Sequence, residues 1–250
     1  MGLRVNSNIA SINAQRNLVG TTDRLQKSLQ RLSSGLRITR AADAAAGLAI
    51  SENFRAEIRS LQQVQRNASD GISMLQVAEG ALNETSTLLI RMRERAIQSA
   101  NGTLGLGERA TVDLEFQGLH AEINRIAAAT EFNGTQILQS AASTTFQIGT
   151  GDSVNDRFTV SAVNAGASAI RLSAVGVTNV TGARSSLALL DSAVSQIASL
   201  RAAFGTAQNR LESAIRSIGV AVENTVAAES RIRDVDFASE TAELTLNQVL

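Results

Sequence analysis

The stretch "LALLDSAVSQIASLRAAFGTAQNRLESAIRSIGVAV", Leu187 to Val222, decides the fold class. Leu190, Val194, Ile197, Phe204, Leu211, Ile215, Ile218 and Val222 follow one another at alternating steps of four and three, interrupted at Arg201 and Gln208. That spacing puts the apolar side chains on one stripe of a helix and predicts a seam packed against other helices. The burial of eight side chains cannot by itself offset the ordering of the whole segment, so the helix needs partners.

Those partners lie outward along the chain. Before the seam, "TTFQIGTGDSVNDRFTVSAV" changes to a period of two around Phe146, Ile148, Phe158 and Val160, and predicts a β-hairpin with "GTGDSVND" as its turn. A further strand is expected near "AIRLSAVGV". Earlier still, a helix is expected from Glu108 to about Thr130, before "EFNG". A long helix is expected to begin with Asp43 as N-cap and Ala44, Ala45 and Ala46 as first turn. It passes through Phe54, Ile58, Leu61, Met74, Leu75, Leu82 and Leu89, and "NGTLGLG" stops it near Ala100. If continuous it is roughly 85 Å long, although Gly71 and Gly80 weaken it.

Toward the N-terminus, Leu18, Leu25, Leu29, Leu32 and Leu36 form another helical seam that ends near Gly35. After Val222 the helix breaks at "RIRDVDFASE", and "TAELTLNQVL" is a short closing helix. The layout is therefore nearly palindromic and pairs the two ends of the chain.

Composition agrees with a mainly α protein, an elongated long-helix bundle or coiled coil with a small β-hairpin region in the middle. Apolar residues make up 44% and aromatics 3%, without Trp or Tyr, which leaves Ala, Leu, Ile and Val to fill long seams. There is no Pro to break helices and no Cys to cross-link them. Zero net charge gives neither a nucleic acid nor an acidic membrane an electrostatic footprint. Lys27 is the one lysine, and reliance on Arg favours buried or interfacial ion pairs, with genomic base composition as the alternative. No secretory signal and no segment approaching a membrane span are expected, so the usual signals alone read as cytoplasmic. Asn6 speaks against myristoylation.

The residues offer no catalytic, metal-binding or cofactor-binding set, and no cofactor is expected. His120 is the single histidine, and neither a metalloprotease helix nor a nucleophile motif surrounds it. Asp234 and Asp236 are read as solvated, capping or paired with Arg231 and Arg233. "GTGDSVND" misses the spacing of a calcium loop.

Longer motifs carry a resemblance. "LSSGLRITRAADAAAGLAISENFRAEIRSL", "RNASDGISMLQVAEGALNE", "RMRERAIQSANG", "EFNG" and "RIRDVDFASETAEL" occur in order over almost the whole chain, which resembles bacterial flagellin in its short form without large outer domains. The resemblance implies a structural subunit that self-assembles into the flagellar filament for swimming motility, with no enzyme activity. It implies terminal helices over 1–32 and 241–250 forming the inner-tube domain, and spoke segments over 33–50 and 231–240. The remainder, 51–230, would be a rod-like helical domain with the hairpin region near 134–180. Gly35, Asp43, Ala44, Asp234 and Asp236 fall in the spokes. It also implies export without a cleaved signal peptide to an extracellular filament. The implied partners are further copies of the chain, an export chaperone, the filament cap and hook-junction proteins, but no nucleic acid and no membrane.

Departures from the family pattern sharpen these expectations. The family's C-terminal helix usually runs beyond the position of Leu250, and Ala44 stands where a second Asp is usual. In some flagellins an innate-immune receptor of animals reads the segment matching Leu89 to Gln98. Leu89, Arg91, Arg93, Glu94 and Gln98 match it, Glu115 matches a further contact, and Ile90 and Arg95 depart from it. A cation at 95 in place of an apolar contact implies weakened receptor activation. The same residues would serve chiefly as a subunit-to-subunit surface. Two other readings are a hook-filament junction protein and a signalling coiled coil. The strand pattern between Thr144 and Val177 argues against the coiled coil.

Overall fold

A computed structural model describes residues 8–139, 143–161, 163–173 and 175–249. Five helices dominate: α1 (Ile9–Ser34), α2 (Ala45–Ala100), α3 (Leu106–Ala129), α4 (Val180–Arg233) and α5 (Phe237–Val249). Two small antiparallel hairpins lie between α3 and α4. They pair β1 (Glu131–Phe132) with β2 (Thr135–Gln136), and β3 (Thr144–Gln147) with β4 (Arg157–Val160). The mainly helical class read from the sequence is the observed one.

The chain divides into two compact units, one of residues 62–219 and one of residues 1–61 with 220–250. The boundaries expected at 50/51 and 230/231 thus fall inside the second of these, because the first turns of α2 and the last turns of α4 pack with the segments that follow α1 and precede α5.

In the 62–219 unit, α2, α3, α4 and the hairpin region share one apolar cluster that includes Leu75, Leu82, Met92, Phe116, Ile197 and Leu211. The α4 stripe is buried at Leu190, Ile197, Phe204, Leu211 and Ile218. Its two interruptions converge on one carboxylate. Arg201 Nη2 lies 3.8 Å from Glu79 Oε1, and Gln208 Nε2 donates to Glu79 Oε2 at 3.2 Å. Helix α2 is unbroken, and Gly71 has a packing reason. A Cβ there would stand 3.2 Å from Leu211 Cδ1 and 3.3 Å from Phe146 Cδ1, so the missing side chain lets the hairpin settle on the helix. Phe146 faces Phe158 directly across β3 and β4.

Several sequence-based expectations need correction. The strand near 169–177 is absent among the described residues. Ala169, Ile170 and Arg171 instead close turns onto Gly166 and Ser168, with Arg171 at φ 65°. Helix α4 starts at Val180, ahead of Leu187, because Asn179 Oδ1 accepts the Gly182 amide at 2.7 Å and caps it. "EFNG" contributes a two-residue hairpin turn, with Asn133 at φ 51° and Gly134 at φ 74°. Helix α3 runs Leu106–Ala129, slightly earlier than expected. A window of α4 is also long and apolar enough to cross a membrane by length and composition, with mean hydropathy 1.2. Ala raises that mean in a helix whose large apolar residues form the stripe just described.

Candidate assembly surfaces

In the 1–61 and 220–250 unit, the two chain breaks meet as a clasp. Gly35 ends α1 in the left-handed conformation at φ 70°. Leu36 then bridges Asp234: Arg37 N donates to Arg233 O at 2.7 Å, and Val235 N donates to Gly35 O at 3.0 Å. Side chains add to it. Arg37 Nη2 donates to Ile232 O at 2.5 Å, and Arg233 and Arg55 both reach Glu52 Oε1, at 3.0 and 2.9 Å. Arg55 first, and Arg233 with it, hold the Glu52 carboxyl below its usual range. Ile38 is buried against Gly47, where a Cβ would come within 2.8 Å of Ile38 Cδ1.

The sequence predicts Asp43 as the N-cap of α2, but its side chain does not cap the helix. Its Oδ1 takes Lys27 Nζ at 2.8 Å, while Oδ2 accepts from Thr39 N, Thr39 Oγ1 and Arg40 N at 3.2, 3.0 and 3.1 Å. It therefore closes the turn before the helix. The Lys27 ammonium, aided by those amides and the hydroxyl, holds its carboxyl well below the usual carboxylate range against the opposing effect of burial. The cap position falls to Ala44, whose carbonyl accepts the Leu48 amide and whose methyl group can accept nothing. At the other break Asp236 caps α5, with Oδ1 accepting from Ala238 N at 3.0 Å and Ser239 N at 3.4 Å. Asp234 is exposed and takes part through its backbone.

Helices α1 and α5 pack together. The α1 seam is only half covered: Leu25 and Leu32 are half-buried, while Ile12, Leu18, Val19 and Leu29 are exposed. The residues buried on α5 are polar, Glu240 and Asn247, and Leu246 is exposed. Sequence reasoning missed the Arg31–Glu240 contact, in which Nη1 stands 3.3 Å from Oε2. Its signal was the placement of opposite charges one turn from each break.

In the 62–219 unit, the segment 89–98 separates into inward and outward residues. Leu89 is fully buried and belongs to the core, which removes it from any contact surface. Ile90, Arg91, Arg93, Glu94 and Gln98 are exposed. Arg91 grips Glu115 Oε1 through Nε at 3.0 Å and Nη2 at 2.7 Å. Arg95 is not unpartnered, as a buried cation would be. Its Nε stands 2.9 Å from Glu115 Oε2 as an ion pair without hydrogen-bond alignment, and its Nη1 donates to Gln98 Oε1 at 2.8 Å. Arg91 first, and Arg95 with it, hold the Glu115 carboxyl below its usual range. Arg93 Nε donates to Asp191 Oδ1 at 2.6 Å. The geometry brings Arg91, Arg95, Gln98 and Glu115 together. His120 is half-buried on α3, with an Nε2 that makes no hydrogen bond.

Two family models match the chain: the bacterial flagellin N-terminal helical region over residues 5–143, and the bacterial flagellin C-terminal helical region over residues 187–250. A flagellin of Halalkalibacterium halodurans is 43% identical over 247 residues, which cover 98% of this chain and 91% of that protein. The crystal structure of Bacillus cereus flagellin matches with a TM-score of 0.56 and 31% identity, over 61% of this chain and 88% of that one. A structure described as a flagellar hook-associated protein from Vibrio parahaemolyticus matches with a TM-score of 0.66, over 77% of this chain and all of that one. Its 14% identity speaks for the fold alone.

Proposed function

The chain belongs to the bacterial flagellin family and is a structural subunit of the flagellar filament, an extracellular appendage, and from that premise we propose how its parts serve assembly. Helices α1 and α5 are the inner-tube elements, residues 33–50 and 231–240 the spokes, and 51–230 the rod. The observation that carries this reading is the set of large apolar side chains left exposed on α1, with Ile12, Leu18, Val19 and Leu29 among them. Exposed apolar patches of this kind mark association surfaces. Contacts between different faces of identical copies do not close, so they generate an open helical polymer.

The same reading gives the chain an export chaperone, the filament cap and hook-junction proteins as partners, export without a cleaved signal peptide, and no enzymatic role. The hook-junction alternative is not favoured, because the high-identity relative over nearly the whole chain is a flagellin. Short filament seeds added to the purified chain should elongate into helical filaments visible by electron microscopy. Monomers that persist beside seeds able to elongate with another flagellin would refute the proposal.

Arg91, Arg93, Glu94, Gln98 and Glu115 serve as a subunit contact of the 62–219 unit and, secondarily, as a contact for an innate-immune receptor of animals. Arg95 occupies Glu115 and places a cation beside it, which weakens receptor activation. In a reporter-cell titration the Arg95→Leu chain should be the more potent; equal potency would contradict this.

A further inference from the structure

Two Asn–Gly steps occur in the chain, Asn101–Gly102 and Asn133–Gly134. Such a step carries its own nucleophile and electrophile: the glycine nitrogen can close on the asparagine Cγ, and no glycine Cβ hinders the approach. Ring closure needs that nitrogen on the side of the asparagine Cβ, which for an L residue means ψ of about −120°.

At Asn101 the peptide is held. Its carbonyl accepts from Arg109 Nη2 at 2.8 Å, and its Oδ1 accepts from Thr103 N at 3.4 Å. Arg109 is itself buried and also donates to Leu104 O at 2.9 Å, so turning the Asn101–Gly102 peptide would strip a buried guanidinium of an acceptor.

Asn133 and Gly134 are exposed and form the turn between β1 and β2, at φ 51° and 74°. Positive φ at both central residues is type I′. Among the described residues, neither the Asn133 carbonyl, nor the Gly134 amide, nor the Asn133 side chain makes a hydrogen bond. Flipping that one peptide converts type I′ to type II′, the other two-residue hairpin turn, and brings ψ of Asn133 to about −120°.

We propose that Asn133 is a site of spontaneous deamidation at which the folded chain ages, and that Arg109 protects Asn101 from the same reaction. The Gly134 nitrogen gives its proton to solvent base and bonds to Asn133 Cγ. The Cγ–Nδ2 bond breaks, and ammonia leaves with a proton returned by solvent. Water then opens the succinimide at either carbonyl, and nothing is oxidised or reduced. Opening at Cγ leaves aspartate; opening at the main-chain carbonyl leaves isoaspartate, whose backbone runs through Cβ and is one atom longer. A two-residue turn cannot absorb that atom and keep Phe132 opposite Thr135. Phe132 and Ile137 pack on the core, and the Ile137 amide donates to Thr130 O at 3.1 Å, so the lengthened turn loosens that contact.

The purified chain, held at physiological temperature in mildly alkaline buffer and cleaved after arginine, gives residues 96–109 and 126–157 as separate peptides for mass spectrometry. Asn133 should convert several-fold faster than Asn101, to both products, and the two rates should converge in urea. Equal rates in the folded chain, a faster Asn101 or an inert Asn133 would overturn the site. Arg109→Met should raise the Asn101 rate alone; an unchanged rate would overturn the protection. If circular dichroism shows that this variant unfolds, Arg109→Lys, which keeps one donor group, takes its place with the same expected direction. Amide exchange at Ile137 should quicken in the isoaspartate fraction and stay unchanged in the Asn133→Asp chain, which alters charge without lengthening the backbone. Equal exchange in those two would overturn the effect on the hairpin.

Discussion

Residues 62–219 gather a large apolar core and partner their fully buried polar residues, whereas residues 1–61 with 220–250 bury few large apolar residues and leave two buried polar side chains of α5 incompletely satisfied. In the first unit Arg109 is buried yet donates to the carbonyls of Ser99, Asn101 and Leu104, and Ser99 donates to Val177 O. In the second, Glu240 and Asn247 are buried with an atom each unsatisfied, while Leu18 and Leu29 stay exposed. One completes a large core from its own residues, and the other holds only a small one, which on the proposed function leaves the exposed α1 residues for association.

The sharpest way to break that contrast is to truncate one apolar residue in each unit. Phe116→Ala, at a fully buried position, should cost about 3–5 kcal/mol in a denaturant melt. Leu18→Ala should stay within about 0.5 kcal/mol for the soluble chain yet slow seeded elongation. Equal costs would erase the distinction. Arg109→Met removes the donors that satisfy carbonyls in the last turn of α2 and in the loop that follows it. It should cost about 2–3 kcal/mol and speed amide exchange around residues 99–106.

Asp43 tests the second unit by pH. Its carboxyl is harder to protonate folded than unfolded, where the value is 3.8, so its contribution is complete above 3.8. The contribution shrinks as pH falls below that and is gone beneath the folded value. Exchange protection of α1 followed through an acid titration should drop over that window, and Lys27→Met should flatten the drop. One small effect has the opposite sign. Ala44→Asp would give α2 the side-chain acceptor its cap position lacks and should stabilise by about 0.5–1 kcal/mol in a thermal melt.

The helices were legible because their apolar residues repeat with the helix period, as in the α4 stripe. The β3–β4 hairpin was legible because its period is two. What misled was local polar chemistry with more than one use. Asp43 before an Ala run reads as a cap, yet Lys27, sixteen residues away, and the Thr39 and Arg40 amides claim its carboxylate. Asn179 does not read as a cap because the apolar repeat begins only at Leu187. Gly71 reads as a weak point in α2 until Phe146 and Leu211 are brought to it. Of the candidate contact residues, the pattern of 89–98 could not separate the core residue Leu89 from the exposed Ile90, since both are apolar and adjacent. Nor could it pair Arg95 with Glu115, which lies on another helix.

The bridge between Leu36 and Asp234 also has a consequence for the order in which the chain folds. It joins residues about 200 positions apart, and closing so long a loop carries an entropy cost that grows with its length. A chain emerging from the ribosome has completed α1 long before residue 234 exists, so its N-terminal helix waits for that segment to be synthesised. The clasp is therefore expected to form late, and a strand-like pairing at 36 and 234 marks a chain made at least as far as residue 235.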